Sequence, residues 1–371
     1  SELYPDEAKQ MEGWSIGSIL ISILLFAWVG GTVSDMGFRM KKQQNVNAYG
    51  MICGKWLGTF YEHFVRIFLF AVVVVMISGT GATLNEYYGW NYYVGSLLMA
   101  VLIFAAFAFG FNKLIDVIGC IGPVIIVFSI VVAAATIVSG GGSVLRADVS
   151  PIADMRSASA WWISGILYAS YNIFGAIPFL TTVGAGSHSA KEVKLGGVLG
   201  GVVLMTAVLF MNVALLLRVD EIAQYAVPTL QLAKDISPVL GGVFSVVLLC
   251  GIFSTAAPMM WTVCSKLAPV GTKKSILVAA ILTAAAFGLG QLPFGTLVGI
   301  IYPYTGYLGI LLLVCLAVQC IRSYMKKEKT ETDTRRYRHE TEVRPQRSAD
   351  SKSQLCERSE GNISLGLRRR M

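Results

Sequence analysis

Two adjacent hydroxyl side chains, Ser254 and Thr255, lie in the middle of an apolar stretch of this 371-residue chain. The carbonyl of Gly251 comes three residues before Ser254 and so lies on the same face of a helix. Pro258 has no amide hydrogen, and it therefore also frees the carbonyl of Ser254. These oxygens predict half of a site for a small monovalent cation such as Na⁺, to be completed by a second helix. The alternative is that both hydroxyls bond back to their own helix.

The apolar segment 161–183 is interrupted near its centre by polar and helix-breaking residues. Pro178 frees the carbonyl four residues earlier, at Phe174. Asn172 is costly at mid-membrane depth unless its amide has a partner, and such residues usually face a bundle interior or a cavity. The pattern indicates either an unwound segment that contacts a solute or a packing kink with hydrogen bonds between helices. Under the first interpretation the substrate-binding residues are Tyr168, Ser170, Asn172 and Gly175.

A third polar joint is the segment IYPYTGY at 301–307, where Pro303 and Gly306 are three residues apart among three tyrosines. It indicates either a flexible joint lined by hydroxyl groups or a kink whose tyrosines lie at the membrane interface. The sequence does not separate these two interpretations.

Residues that would indicate catalysis or a metal site are scarce. His63, His188 and His339 fall at the edge of a span, in a loop and in the polar tail, and no HExxH, GxSxG or P-loop pattern is present. The seven cysteines form no CxxC pair and resemble small core residues. We therefore predict that the protein is not an enzyme and holds no cofactor.

The elements that must position these residues are long and apolar. The chain is 55% hydrophobic and 14% charged with a mean hydropathy of +0.64, whereas soluble proteins carry about 25% charged residues. A bilayer core of about 30 Å needs about 20 apolar residues per helix. The composition predicts an all-α polytopic membrane protein. Its nine spans fall at 14–34, 64–84, 92–111, 117–138, 161–183, 195–217, 239–264, 275–291 and 294–321, the last being one kinked helix or two shorter pieces.

The two ends of the chain differ from these spans. Residues 1–13 are polar and have no signal-peptide pattern, while residues 322–371 are highly charged and too poor in aliphatic side chains to fold. Loops on one side of the membrane hold twice as many Lys and Arg residues as loops on the other, and the basic tail falls on the richer side. We expect a multi-pass protein of the cell membrane with a cytoplasmic tail and an extracytoplasmic start. An extracytoplasmic start without a signal peptide favours a further span before Ser1; the alternative is nine spans with a native extracytoplasmic start.

A short helix is predicted in the loop 218–238. Pro228 can begin it at the first helical position, and Leu230, Leu232 and Ala233 give it an apolar side. This helix either caps an outer vestibule or rests on the lipid headgroups. The loop 139–160 begins with a run of glycines and is expected to be flexible.

Small residues and charges predict two packing contacts. Gly196/Gly200 and Gly197/Gly201 are spaced i, i+4 and indicate close helix packing. Glu62 and Arg66 have the same spacing and could form an ion pair beside His63, as a structural clamp or an inner gate.

Three motifs together carry a resemblance to a family. The segments YASYNIFGAIPFLTTVG at 168–184 and IYPYTGYLG at 301–309, with the Ser-Thr pair between them, resemble the YkvI-like bacterial membrane proteins. That family is distantly similar to the amino acid/polyamine/organocation transporter superfamily, whose LeuT-like fold has ten helices in two inverted repeats of five. The resemblance covers roughly 14–321.

The resemblance implies that the nine spans are helices two to ten, with the first helix absent. Segment 161–183 would be the inverted-repeat counterpart of that first helix. Gly251, Ser254 and Thr255 would be the eighth-helix half of a sodium site. These inferences favour a cation-coupled secondary transporter of a small organic solute, such as an amino acid, with Na⁺ as the coupling ion.

Two further expectations follow from this assignment. The expected partners are the solute and the lipid bilayer, not nucleic acid. Without its first helix the chain would lack half of the expected site and could be inactive as a truncated protein. The alternative is a receptor or sensor that keeps a transporter fold without moving a solute.

Overall fold

A computed structural model describes residues 5–41, 48–110, 115–139, 158, 160–326 and 328, with backbone alone for 5–14 and 115–120. Every regular element in these ranges is a helix. They are α1 (Pro5–Met40), α2 (Ala48–Cys53), α3 (Lys55–Tyr88), α4 (Tyr92–Phe109), α5 (Ile115–Ser139), α6 (Trp161–Gly186), α7 (Ala190–Leu217), α8 (Val219–Ile222), α9 (Pro228–Ile236), α10 (Pro238–Leu267), α11 (Lys273–Leu289) and α12 (Phe294–Lys326). The chain is a polytopic all-α membrane protein.

Eight of the described helices are long and apolar enough to cross a membrane, namely α1, α3, α4, α5, α6, α7, α10 and α12. In α1 the candidate span begins at Ser15, and in α5 it begins at Ile121. The ninth predicted span corresponds to α11, which has 17 residues. Since spans range from about 17 to 25 residues, α11 is at the lower limit. The last predicted span is one continuous helix, Phe294–Lys326, and not two pieces.

Several predictions fall partly or wholly outside the described residues. The tail 322–371 is described only at 322–326 and 328, and most of the loop 139–160 and the first four residues are likewise outside the description. Residues 1–313 form one compact unit, to which all contacts below belong, and the second unit runs from Val314 to Met371. Helix α1 begins at Pro5 and therefore includes part of the predicted polar segment 1–13.

Helix α1 packs directly on α6 and α7 through small residues. A Cβ added to Gly165 would overlap the carbonyl oxygen of Ser18, and one added to Gly197 would overlap that of Gly30. Backbones can approach this closely only where a side chain is absent. Ser22 strengthens the contact because its hydroxyl donates to the Gly165 carbonyl at 2.8 Å.

The predicted glycine stripes of α7 have two different outcomes. Gly197 and Gly201 lie against the backbone of α1, where a Cβ on Gly201 would come within 2.8 Å of the carbonyl carbon of Phe26. Gly196 and Gly200 have no atom within 4 Å of an added Cβ. Close packing is therefore confirmed for one glycine pair and is wrong for the other, because only one helix face meets α1.

A second group of helices, α3, α4, α10 and α11, shares one apolar core. Val73 and Ile77 of α3, Ile103 of α4, Met260 of α10 and Ala286 of α11 are all buried in it. None of the described residues of this core comes from α1, α6 or α7, whereas α12 contributes Leu297 to it.

The predicted short helix is confirmed as α9, with Pro228 in its first turn. Leu230, Leu232 and Ala233 are buried in a cluster with side chains of α3, α5, α7 and α10. Its apolar side thus packs on protein and not on lipid headgroups. The carboxylate of Glu86 on α3 accepts hydrogen bonds from the backbone amides of Ala226 at 2.6 Å and Val227 at 3.0 Å, just before α9 begins.

Candidate functional site

The predicted ion-binding residues converge on one oxygen. Ser254 Oγ donates to the Gly251 carbonyl at 2.8 Å, and Thr255 Oγ1 donates to the same carbonyl at 3.0 Å. The hydroxyls thus bond back to their own helix, as the alternative interpretation expected. Each hydroxyl uses its one hydrogen in this way and keeps its lone pairs. Two hydroxyl oxygens with free lone pairs therefore lie within one turn of α10, while the Gly251 carbonyl already accepts both of their hydrogens.

The surroundings of this oxygen cluster are partly apolar. A Cβ on Gly251 would overlap Cδ1 of Ile125, so α5 covers this side of α10. Ser254 and Thr255 are half-buried. In the described part of the chain their hydroxyls bond only to Gly251, so a complete cation site requires oxygens from elsewhere. Helix α10 runs unbroken through Pro258.

The central segment of α6 is helical throughout, and the expectation of an unwound segment is wrong. Its polar side chains bond back within the helix, since Asn172 Nδ2 donates to the Tyr168 carbonyl at 2.8 Å. Ser170 Oγ donates likewise to the carbonyl of Ile166 at 2.6 Å. These bonds do not test whether the residues contact a solute, so that role stays a prediction.

The four predicted substrate residues lie on two faces of α6. Tyr168, Asn172 and Gly175 are half-buried and share one face, at i, i+4 and i+7. Ser170 is 1% exposed and lies against α12, where a Cβ on Gly309 would come within 2.7 Å of the Ser170 carbonyl oxygen. The structure therefore groups three of the four residues and assigns Ser170 to helix packing.

The carbonyl that Pro178 frees has a partner from a distant part of the chain. Tyr49 of α2 donates its hydroxyl to the Phe174 carbonyl at 2.7 Å, and both residues are buried. Burial raises the pKa of the Tyr49 phenol, so this hydroxyl keeps its proton and can donate. The bond explains why α6 continues through the proline, since its orphaned acceptor is satisfied inside the protein.

Aromatic rings fix α2 and α3 around this bond. The ring of Phe174 lies 5.6 Å from those of Tyr49, Tyr61 and Phe64 and 5.5 Å from that of Phe68. Tyr61 in turn donates its hydroxyl to the Leu308 carbonyl of α12 at 2.8 Å. This end of α6 is therefore held by hydrogen bonds and rings together.

A tyrosine cluster on the half-buried side of α6 includes two residues that the sequence did not single out as binding residues. Tyr171 of α6 stacks on Tyr302 of α12 with ring centroids 4.6 Å apart and an interplanar angle of 5°. Tyr168 meets Tyr171 edge-on at 5.6 Å, and Phe26 of α1 lies 6.5 Å from Tyr168. The IYPYTGY segment was a signal for Tyr302, but its partner on α6 depends on how α6 and α12 pack.

Among the described residues, no hydrogen bond or ring contact joins the predicted ion-binding residues of α10 to the predicted substrate residues of α6. The same part of the chain holds no group of three His, Cys, Asp or Glu side chains that could bind a metal. Its ion pairs are Asp35–Arg39 and Arg218–Glu221, so the predicted Glu62–Arg66 pair is not formed there. His63 lies with Nδ1 2.9 Å from the Thr59 carbonyl oxygen of its own helix.

Comparison with known proteins finds two similar sequences in Bacillus subtilis (strain 168). The uncharacterized protein YyaD is 21% identical over 309 residues, covering 83% of this chain and 89% of YyaD. The uncharacterized membrane protein YkvI is 23% identical over 309 residues, covering 80% of this chain and 84% of YkvI. The predicted resemblance to YkvI is confirmed. YkvI is a membrane protein, which agrees with the apolar spans of this chain. The wider resemblance to the amino acid/polyamine/organocation superfamily stays a prediction.

No protein-family model matches the chain. Among solved structures, crystal structures of two mutants of a manganese transporter from Eremococcus coleocola are similar, each at 12% sequence identity. They have TM-scores of 0.48 and 0.45, and each comparison covers 85% of this chain and 82% of the other.

Proposed function

We propose that the protein is a cation-coupled secondary transporter of a small organic solute, with Na⁺ as the coupling ion. The observation that supports this most is the oxygen cluster on α10. Two hydroxyl oxygens lie 2.8 and 3.0 Å from the Gly251 carbonyl oxygen in an apolar helix. Membrane transporters bind Na⁺ with such carbonyl and side-chain oxygens, because no water is available there to hydrate the ion.

The predicted substrate and ion residues lie in two packing groups, which α12 and the rings around Phe174 connect, and this arrangement supports a moving transporter. Helix α6, with the predicted substrate residues, packs through backbone contacts on α1, whereas α10 belongs to the group around the α3–α4 core. In alternating access, one group rocks against the other around a fixed site. A solute on α6 and an ion on α10 would then belong to different groups, and an ion that contacts both would favour one relative position. This is the physical basis that we propose for coupling.

The residues of α6 would bind the solute through their half-buried face. Tyr168 and Asn172 offer a ring and an amide, and Gly175 lies close to Phe68 of α3, since an added Cβ would be 3.1 Å from Phe68 Cε1. No charged side chain occurs within α6, so the solute is expected to carry little net charge. An amino acid, which is a zwitterion at neutral pH, meets this condition.

Uptake into proteoliposomes tests the proposal. Purified protein would be assayed with radiolabelled amino acids in the presence and absence of an inward Na⁺ gradient. We expect Na⁺-driven uptake, and we expect the double variant Ser254→Ala/Thr255→Ala to lose its dependence on Na⁺. Thr262→Ala is the matched control, because Thr262 Oγ1 also bonds back within α10, to the Pro258 carbonyl at 2.8 Å, but lies two turns away.

Two results would contradict the proposal. One is unchanged Na⁺ dependence in the double variant, which would remove the ion site. The other is binding of a solute without any uptake or counterflow, which would favour a receptor with a transporter fold.

A further inference from the structure

The tyrosine cluster of α6 and α12, comprising Tyr168, Tyr171 and Tyr302, differs from the other packed tyrosines in its hydrogen bonds. Among the described residues, the hydroxyls of Tyr168 and Tyr302 have no hydrogen-bond partner, whereas that of Tyr171 bonds with the side chain of Asn172. All three side chains are half-buried. A tyrosine hydroxyl that leaves water usually finds a partner in the protein. Five other tyrosines do so, namely Tyr49, Tyr61, Tyr87, Tyr88 and Tyr92.

Backbone packing holds the cluster in place. A Cβ on Gly306 would come within 2.8 Å of Leu167 Cδ2, and one on Gly309 within 2.7 Å of the Ser170 carbonyl oxygen. The close approach of α12 to α6 at these glycines sets the stacking of Tyr302 on Tyr171. The centroids of those two rings are 4.6 Å apart, so no ligand fits between them. A ligand could contact only their outer faces and edges.

The helix segments around the cluster carry no formal charge. Residues 15–34 of α1, 161–186 of α6 and 294–313 of α12 contain no Lys, Arg, His, Asp or Glu. The electrostatic field at the cluster therefore comes from ring quadrupoles, hydroxyls and the amide of Asn172. The face of an aromatic ring is negative and attracts an ammonium group, whereas a carboxylate is not attracted to it. A solute with a net charge would remain uncompensated in this region.

We propose that Tyr168, Tyr171 and Tyr302 form the surface that receives the ammonium group of a net-neutral, zwitterionic solute. The ammonium group lies against the outer ring faces, and the free hydroxyls of Tyr168 and Tyr302 hydrogen-bond the remainder of the solute. The inference rests on the proposed function, since it concerns the same side of α6. It adds Tyr171 and Tyr302 to the predicted residues and makes the ammonium group the element that is recognised.

Equilibrium binding to purified protein in lipid nanodiscs tests the assignment without requiring transport. The probes are the radiolabelled amino acids and glycine betaine. For a solute that binds, competition is measured with its decarboxylated amine and with its deaminated acid. We expect the amine to compete more weakly than the zwitterion, because its net charge is uncompensated, and the acid to fail, because only the amine keeps the group that the rings attract.

Variants of one residue separate the ring face from the hydroxyl. We expect Tyr302→Leu to weaken binding about tenfold and Tyr302→Phe by no more than about threefold, since phenylalanine keeps the ring face. Tyr304→Leu is the matched control, because Tyr304 is on the same helix, is 73% exposed and lies outside the cluster. Elution as a single species in size-exclusion chromatography and an unchanged thermal midpoint would show that the variants are folded.

Three results would overturn the inference: no zwitterion binds, the deaminated acid competes as well as the amine, or Tyr302→Leu binds like Tyr304→Leu. The proposed function can fail separately. Tyrosine-dependent binding without Na⁺-driven uptake would leave this inference standing and refute the transporter. Na⁺-driven uptake that is unaffected by Tyr302→Leu would support the transporter and refute this inference.

Discussion

The hydrogen bond from Tyr49 to Phe174 should stabilise the fold more than a second bond with similar geometry. Tyr49→Phe removes only the hydroxyl, so the ring contacts at 5.6 Å to Phe174 and 6.0 Å to Tyr61 remain. The Phe174 carbonyl has no amide to return to, because residue 178 is a proline. The variant therefore leaves a buried acceptor without a partner.

Tyr61→Phe is the matched comparison. Its hydroxyl donates to the Leu308 carbonyl at 2.8 Å, and Tyr61 is as buried as Tyr49. Four residues after Leu308 the helix has Leu312, whose amide hydrogen can still serve the carbonyl. Tyr61→Phe thus removes only one of two hydrogen bonds to the Leu308 carbonyl and leaves no acceptor without a partner.

The magnitudes follow from this difference. An unpaired buried acceptor costs about 1–3 kcal/mol, so we expect Tyr49→Phe to lower the free energy of unfolding by about 1–2 kcal/mol. Interhelical hydrogen bonds in membranes are worth about 0.6 kcal/mol on average, and Tyr61→Phe should lose about that much. The two variants would then differ by about 1 kcal/mol, or about fivefold in the unfolding equilibrium.

Equilibrium unfolding of both purified variants in mixed micelles with increasing SDS measures the difference. The prediction requires Tyr49→Phe to be the less stable variant. Equal losses, or a larger loss in Tyr61→Phe, would refute the argument that Pro178 makes the Phe174 carbonyl depend on Tyr49.

Two further predictions concern helix packing. Gly197→Ala should destabilise the protein because its Cβ would overlap the Gly30 carbonyl. Gly196→Ala meets nothing within 4 Å and should stabilise the protein by about 0.5–1 kcal/mol through helix propensity. Thermal midpoints in detergent measure both variants, and destabilisation by both would contradict the packing. Glu86→Ala removes the carboxylate that accepts two amides before α9 and should cost about 0.5–2 kcal/mol locally. Faster amide hydrogen exchange across 226–236 should follow, whereas Glu221→Ala, which breaks an ion pair whose glutamate is 57% exposed, should leave exchange there unchanged.

Local sequence rules predicted the elements well, because they depend on neighbouring residues. Apolar segments of sufficient length predicted the spans, since the bilayer sets the number of residues that a helix needs. Pro228 with Leu230, Leu232 and Ala233 predicted α9, because a proline at the first turn and helical spacing are both local signals. The same rules predicted that Pro178 frees the Phe174 carbonyl.

The rules failed where a second helix decides the outcome. The sequence favoured equally two glycine pairs on α7, and only the face that meets α1 is packed. The unwound segment predicted in α6 is a helix, because Tyr49 satisfies the one acceptor, the Phe174 carbonyl, that Pro178 leaves without an amide.

For the candidate site, the sequence by itself determined which oxygens of α10 lie together, since Gly251, Ser254 and Thr255 are within one helical turn. It also determined that segment 161–183 carries uncharged polar groups at its centre. Only the tertiary structure decided that Tyr171 meets Tyr302 and that Tyr49 meets Phe174, because these partners are 131 and 125 residues apart. Contacts at such separations depend on how whole helices pack, and the periodicity of a single helix cannot specify them.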